Sequence, residues 1–190
     1  MDRAPVLIVT RPRLQAQAWV ERLRAKGVEA GAVPLLEILG SAQPDRLAQA
    51  RLELPEYAVA VFVSPNAAIH FLSPGTPWPL HTWAAAPGQG TARTLMGLGV
   101  PADRILQPPP ESTQFDSESL WPVMAPLPWA GRRALIVRGD GGREWLSDRL
   151  AESGARVDHL SAYRRAPPVL QPEEFELLDR AWHQPEQSLW

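Results

Sequence analysis

Short apolar runs alternate with stretches of helical periodicity along this chain. Parallel sheets produce that pattern: strands buried on both faces, each followed by a covering helix. "PVLIVT" (5–10) reads as a buried strand, and "LQAQAWVERLRAKG" (14–27) as a helix with Ala16, Val20 and Leu23 on one side and Gly27 as its stop. "VEAGAVPLLEI" (28–38) is extended and interrupted by Pro34, and a helix at 44–53 leads to the strongly apolar strand "YAVAVFVS" (57–64). After Pro65, "NAAIHFL" starts another helix, and "TWAAAP" (82–87) is a weaker strand followed by a glycine turn and a helix to Leu98.

The second half continues in the same style. "DRILQPP" predicts a short strand and "DSESLWPVM" a short helix capped by Asp116 or Ser117. "RALIVRG" (133–139) is a strand, "GREWLSDRLAESG" (142–154) a helix ended by Gly154, and "ARVDHLSAYRR" (155–165) a strand. A last helix carries Leu177 and Leu178 on its apolar side, and the closing "SLW" resembles the opening of a strand. "VFVSPNAAIHF", "AAAPGQGTARTL" and "LIVRGDGGREWL" each put small residues where a strand gives way to a helix. With no fixed period, they are recurring βα units rather than a sequence repeat.

Composition narrows the function classes. The 190 residues, 45% apolar and 21% charged, are ordinary globular material with room for one large domain or two small ones. A net charge of −2 supplies no broad field for nucleic acid or an anionic membrane, so an acidic ligand has to be held by local devices. The chain has no cysteine, which excludes disulfides, thiolate metal sites and a cysteine nucleophile. The N-terminal apolar run is too short for a signal peptide, and no run approaches the ~18 apolar residues of a membrane span. A cytoplasmic protein is expected. The eight tryptophans (Trp19, Trp78, Trp83, Trp121, Trp129, Trp145, Trp182, Trp190) are scattered, which suits packing better than ligand stacking.

Candidate chemistry sits at the strand-to-helix junctions, where unpaired main-chain N–H groups and the positive end of a helix dipole favour anions. "PGQGTARTLMGLGV" (87–100) places Gly88 and Gly90 at such a junction, with Thr91 able to cap the helix or donate its hydroxyl. A dinucleotide fingerprint wants a glycine where Arg93 stands and an acidic residue about 20 positions on, and neither is present. A plain tight turn and a ligand site both remain open for this stretch. Ser64, Pro65 and Asn66 end the second strong strand; Ser64 can cap the next helix, but no G-x-S-x-G context makes it a nucleophile. In "RGDGGRE" (138–144) Asp140 can cap the helix, whereas Arg143 in a first turn opposes the dipole, which points either to a ligand carboxylate or to a surface role. Tyr163 ends a strand and is a core or interface tyrosine by default. His70, His81, His159 and His183 lack metal-ligand spacing, so no metal is expected.

Taken in order, "VLIVTRPRLQAQAWVERLRAKGVEAGAVPLLEI", "VFVSPNAAIHF", "GQGTARTLMGLGV", "FDSESL" and "LIVRGDGGREWLSDRLAESGARVDHLSAYRR" resemble the uroporphyrinogen-III synthase family over nearly the whole chain. The resemblance implies an α/β protein of two flavodoxin-like parallel-sheet lobes joined by a two-stranded connector, with substrate in the cleft between them. The first lobe would take 1–36 and 166–190 and be incomplete at its C-terminus, the second 37–165, with connector strands near 28–38 and 155–166. The implied reaction closes hydroxymethylbilane, a linear tetrapyrrole rich in carboxylates, into a ring with loss of water and inversion of the last pyrrole through a proposed spiro intermediate. No cofactor is implied. Partners would be the tetrapyrrole and hydroxymethylbilane synthase, which hands it over; the protein would be a monomer.

By the same resemblance Ser64, Thr91 and Tyr163 match cleft positions, with Asn66, Gly88 and Arg11 beside them, and Tyr163 assists departure of the hydroxyl. Catalysis would be largely conformational, holding a flexible polyanion so that the inverted closure wins. The shortened first lobe keeps a second reading open, a non-catalytic relative that binds tetrapyrrole or a partner. A nucleotide-binding regulator is a third.

Overall fold

The structure is a computed structural model that describes residues 5–73, 75 and 77–189, so Trp190 lies outside the described residues. Its elements in chain order are β1 (Val6–Val9), α1 (Arg13–Arg24), β2 (Ala30–Ala32), β3 (Glu37–Gly40), α2 (Pro44–Leu52), β4 (Tyr57–Phe62), α3 (Pro65–Phe71) and β5 (Trp83–Ala85). Then follow α4 (Gln89–Gly97), β6 (Ile105–Leu106), α5 (Ser117–Met124), β7 (Arg133–Gly139), α6 (Trp145–Glu152), β8 (Arg156–Ala166), α7 (Pro172–His183) and β9 (Ser188–Leu189). The stretch 28–38 divides into β2 and β3 around Pro34, which has no N–H to give a ladder.

The chain forms two compact units, one of residues up to 39 and from 165 onward, the other of residues 40–164. The first is built on a three-stranded sheet ordered β2-β1-β9, and β1 runs parallel to both neighbours. Alternation along β1 decides its covering. Leu7 and Val9 pack with Ala16, Val20 and Leu23 of α1, while Ile8 packs with Leu177, Leu178 and Ala181 of α7. α7 starts with a carboxylate of Glu174 accepting from the Gln171 backbone N–H at 2.8 Å, and Arg13 of α1 pairs with the other oxygen of that carboxylate. Trp182 on α7 is 79% exposed, so packing does not account for every tryptophan.

The second unit carries the strand order β8-β7-β4-β5-β6 of the larger sheet, in which β4 is parallel to β5 and β7, and β7 to β8. Residues 59–62 of β4 are all buried, as expected of a strand covered on both faces. One face carries Leu120, Met124, Leu146 and Leu150 of α5 and α6 against Val59, Val61 and Ile136; Trp129 joins them, its indole N–H donating to the Met124 carbonyl at 3.0 Å. On the other face Phe62 meets Phe71 of α3 edge-on at 5.6 Å. Asp116 caps α5 by accepting from the Ser119 N–H at 2.9 Å. Those backbone and hydroxyl hydrogen bonds hold its carboxyl below the usual carboxylate range.

One helix start differs from the sequence reading. α6 begins at Trp145, not at 142, because Gly141 (φ 71°) and Gly142 (φ 147°) hold the chain in conformations that a helix cannot include. Asp140 therefore does not cap α6; its carboxylate accepts from the Ser161 hydroxyl at 2.5 Å. Arg143 falls before the helix, not in its first turn, and its guanidinium donates to Glu118 of α5 at 2.8 Å, which removes the dipole conflict.

Candidate functional site

Because β4, β5, β7 and β8 run parallel, their carboxyl ends share one edge of the sheet in the 40–164 unit. Three helix-leading junctions open on that edge, after β4, β5 and β7. Ser64 occupies the first. It is the extended N-cap of α3, its hydroxyl accepts from the Ala67 N–H at 3.2 Å, and the same oxygen lies 3.2 Å from the Tyr163 hydroxyl. Asn66, partly exposed, sits in the first turn of α3.

A slip in strand register delivers the tyrosine. β7 and β8 pair in step through Arg138↔Ser161, and then Gly139 pairs with Tyr163, so Ala162 is the extra residue of a bulge. A bulge re-aims the side chains that follow it. Without it, Tyr163 would alternate onto the face of Ser161; with it, the ring enters the α3 side, meets Ser64 and is 1% exposed. Gly139 makes room. A Cβ there would lie 2.8 Å from Tyr163 Cε2 and Cζ and 3.1 Å from its hydroxyl oxygen. From the helix side the His70 ring stacks on the phenol at 5.8 Å between centroids and 30° between planes. Burial pushes the His70 pKa below its ordinary 6.5, so the imidazole is neutral at neutral pH.

Gly88 occupies the second junction as the extended N-cap of α4, with no side chain capping that helix among the described residues. Its φ of −160° suits any residue; the missing side chain matters because a Cβ would come within 3.1 Å of Phe115 Cβ. Phe115 covers the glycine and remains 46% exposed. Thr91 does not cap: it is the third residue of α4, 5% exposed, and its N–H donates to the Gly88 carbonyl at 3.1 Å. At the third junction Arg143 is exposed and paired with Glu118, and Arg138 is paired with Glu144 at 2.9 Å.

The structure thus joins Ser64 and Tyr163 directly and sets Asn66, Gly88, Thr91 and Arg143 around junctions of the same sheet edge. Arg11 belongs to the other unit, just beyond β1, with its guanidinium 6.0 Å from the Trp19 ring. Three participants escaped the sequence reading: His70, Gly139 and Phe115. Gly139 left a signal, a glycine closing an otherwise bulky apolar run. His70 lies in the helix that Ser64 caps, and no local signal marks it as the ring that faces Tyr163. Among the described residues no three of His, Cys, Asp and Glu are placed to hold a metal ion, and no helix is long and apolar enough to cross a membrane. Chemically the edge offers neutral donors and acceptors, small residues and an exposed aromatic ring after β4 and β5, and paired charges after β7.

The opposite edge is of another kind. At the amino ends of β4, β7 and β8 the Arg133 guanidinium donates to Glu53 at 2.9 Å, Glu56 at 2.6 Å, Asp158 at 2.8 Å and the Tyr57 hydroxyl at 2.8 Å. It also lies 4.3 Å from the centre of the Tyr57 ring. Burial and the hydrogen bond to Asp158 push the Tyr57 hydroxyl pKa well up, so it is a neutral donor.

Comparison with known proteins shows the family. Residues 17–184 match the family model described as uroporphyrinogen-III synthase HemD. The chain is 32% identical to the uroporphyrinogen-III synthase of Salmonella typhimurium over 84% of its own length and 64% of the relative's. With the Escherichia coli protein of that name the identity is 33%, over 84% of this chain and 64% of the relative. Among solved structures, a mutant uroporphyrinogen III synthase from Thermus thermophilus superposes with a TM-score of 0.58 at 20% identity, over 96% of this chain and 70% of that one, and shows the shared fold. The chain thus spans just under two thirds of the length of the two curated relatives.

Proposed function

The chain belongs to the uroporphyrinogen-III synthase family, and on that premise we propose that it closes hydroxymethylbilane to uroporphyrinogen III, with loss of water and inversion of the D pyrrole ring. The observation that carries this reading is the pairing of Ser64 with Tyr163 at 3.2 Å on a sheet edge whose other junctions are lined by small residues and main-chain amides. Closure requires that the terminal hydroxyl leave and that the last pyrrole be turned over before the new bond forms. The substrate loses its hydroxyl readily, and unassisted closure gives the uninverted isomer. The protein's contribution is then orientation, worth up to ~7–11 kcal/mol in well-placed intramolecular reactions.

In this scheme the N–H groups that open α3 and α4 hold acidic side arms of the substrate, with Asn66 and Thr91 in the same turns. Arg143 exchanges Glu118 for a substrate carboxylate at the periphery. The Tyr163 hydroxyl donates a proton to the departing hydroxyl while Ser64 holds its direction. Because the open-chain substrate cyclises by itself when released, the reading includes hand-over from hydroxymethylbilane synthase to a monomeric cytoplasmic protein.

The test is a coupled assay in which hydroxymethylbilane is generated in place and the porphyrin isomers are separated after oxidation. Predominance of the III isomer is expected. Formation of the I isomer alone by folded protein would sink the proposal. A second reading, binding of tetrapyrrole without turnover, is favoured by the burial of Tyr163, which is 1% exposed. It predicts quenching of tryptophan fluorescence by tetrapyrrole together with I isomer only.

A further inference from the structure

α3 is a short, firmly held element. At its start Ser64 caps the first turn, and at its end the Arg51 guanidinium donates to the carbonyls of His70 at 2.9 Å and Phe71 at 2.5 Å. Between these anchors the helix presents a hydroxyl and an imidazole to one tyrosine: Ser64 meets the Tyr163 hydroxyl, and the His70 ring stacks on its phenol. Gly139 closes the strand side of the same ring so tightly that an added Cβ would lie 2.8 Å from Tyr163 Cε2 and Cζ. A phenol held against a glycine backbone and an imidazole has little freedom about its side-chain torsions, and rotation is what would swing its hydroxyl away from Ser64.

We propose that His70 is a positioning residue: its ring, fixed by the Arg51-anchored end of α3, holds the Tyr163 hydroxyl in the direction used when the substrate's hydroxyl departs. This rests on the uroporphyrinogen-III synthase reading and adds to it a residue that does its work through Tyr163 rather than on the substrate. The imidazole has the role of a flat wall, and another flat ring fills it.

The prediction is specific to coupling. His70→Ala lowers kcat for III-isomer formation by about threefold, less than loss of the Tyr163 hydroxyl itself, with KM little changed, and His70→Phe restores it to near the wild-type value. In a Tyr163→Phe background, which keeps the ring and removes the hydroxyl, His70→Ala costs almost nothing further. Should His70→Ala fail to fold, His70→Leu keeps bulk without a flat face and takes its place. An activity-free readout comes from the presence of just two tyrosines, Tyr57 and Tyr163. With 3-fluorotyrosine incorporated and Tyr57→Phe used for assignment, the ¹⁹F resonance of Tyr163 shifts and broadens in His70→Ala and keeps its wild-type position and width more closely in His70→Phe. Equal cost of His70→Ala in both backgrounds, or an unmoved Tyr163 resonance, overturns the inference. A wild-type protein that forms no III isomer while its Tyr163 resonance still depends on His70 overturns the functional reading instead and leaves the positioning contact supported.

Discussion

The two edges of the sheet in the 40–164 unit use polar residues in opposite ways. At the amino ends of β4, β7 and β8, Arg133 meets Glu53, Glu56, Asp158 and Tyr57, so that polar groups are matched against one another. Around the carboxyl ends of β4 and β5 the side chains are small or neutral, and Ser64, Tyr163 and His70 form a compact group beside a turn that carries glycine, while the charges that follow β7 are paired as Arg138–Glu144 and Arg143–Glu118. The comparison teaches where the unit draws its stability and where it keeps groups for a ligand. Charges that satisfy each other add to stability and leave nothing for a guest. A junction of amides and hydroxyls gives up some stability and remains available.

Substitutions at the two edges separate these roles. The largest effect is expected from Gly139→Ala, whose new methyl would meet the Tyr163 ring at 2.8 Å. Displacing a buried ring costs about 2 kcal/mol of stability by overpacking and up to about fivefold in III-isomer formation by misplacing its hydroxyl. Urea unfolding and the isomer assay read the two numbers, and normal turnover in a folded Gly139→Ala protein would break the assignment of the carboxyl edge. Next is Arg133→Met, expected to lower the urea midpoint modestly, because the three carboxylates that lose their partner stay open to solvent, while turnover stays within about twofold. A selective loss of activity there would show that the amino edge is functional after all.

Tyr163→Phe is expected to lower turnover about fivefold, the scale of one hydrogen bond among many, with the fold unchanged in circular dichroism. Complete loss with native folding would contradict distributed contacts. The smallest effect is acid sensitivity. Burial raises the Asp158 pKa, but hydrogen bonds from Arg133 and Tyr57 outweigh it and hold the carboxyl below its ordinary 3.8. A carboxyl depressed in the folded state stabilises it above the unfolded pKa, and that contribution is lost as pH falls through the folded value. The urea midpoint should therefore stay level between about pH 7 and pH 5 on this account, decline below about pH 4, and decline less in Arg133→Met. Asp158 is 42% exposed, which keeps the effect small.

What the sequence made legible follows from where the determining forces act. β4 and β7 are apolar without alternation because both faces are covered, and Asp116 caps α5 through a residue only three positions away. Pro65 after Ser64 marked the start of α3 equally well. Local signals also misled once: "RGDGGRE" has the look of a helix opening, yet two positive φ angles postpone the helix to Trp145. At the candidate site Ser64, Gly88 and Tyr163 were visible as residues of the right kind at strand ends. Their relation was not. The bulge at Ala162 exists only in the pairing of β8 with β7, and the stack of His70 on Tyr163 joins parts of the chain that no local rule connects. Arg143 was likewise read without Glu118, the partner that accounts for it.

The pairing of β1 with β9 has a consequence for how the protein is made. Residues 40–164 form a continuous stretch with its own core, and they leave the ribosome before β9 exists. β1, apolar along its whole length, precedes that stretch and acquires this neighbour only after it. The nascent chain must therefore carry an unfinished sheet edge while the intervening unit is made, at a time when that unit can already be complete.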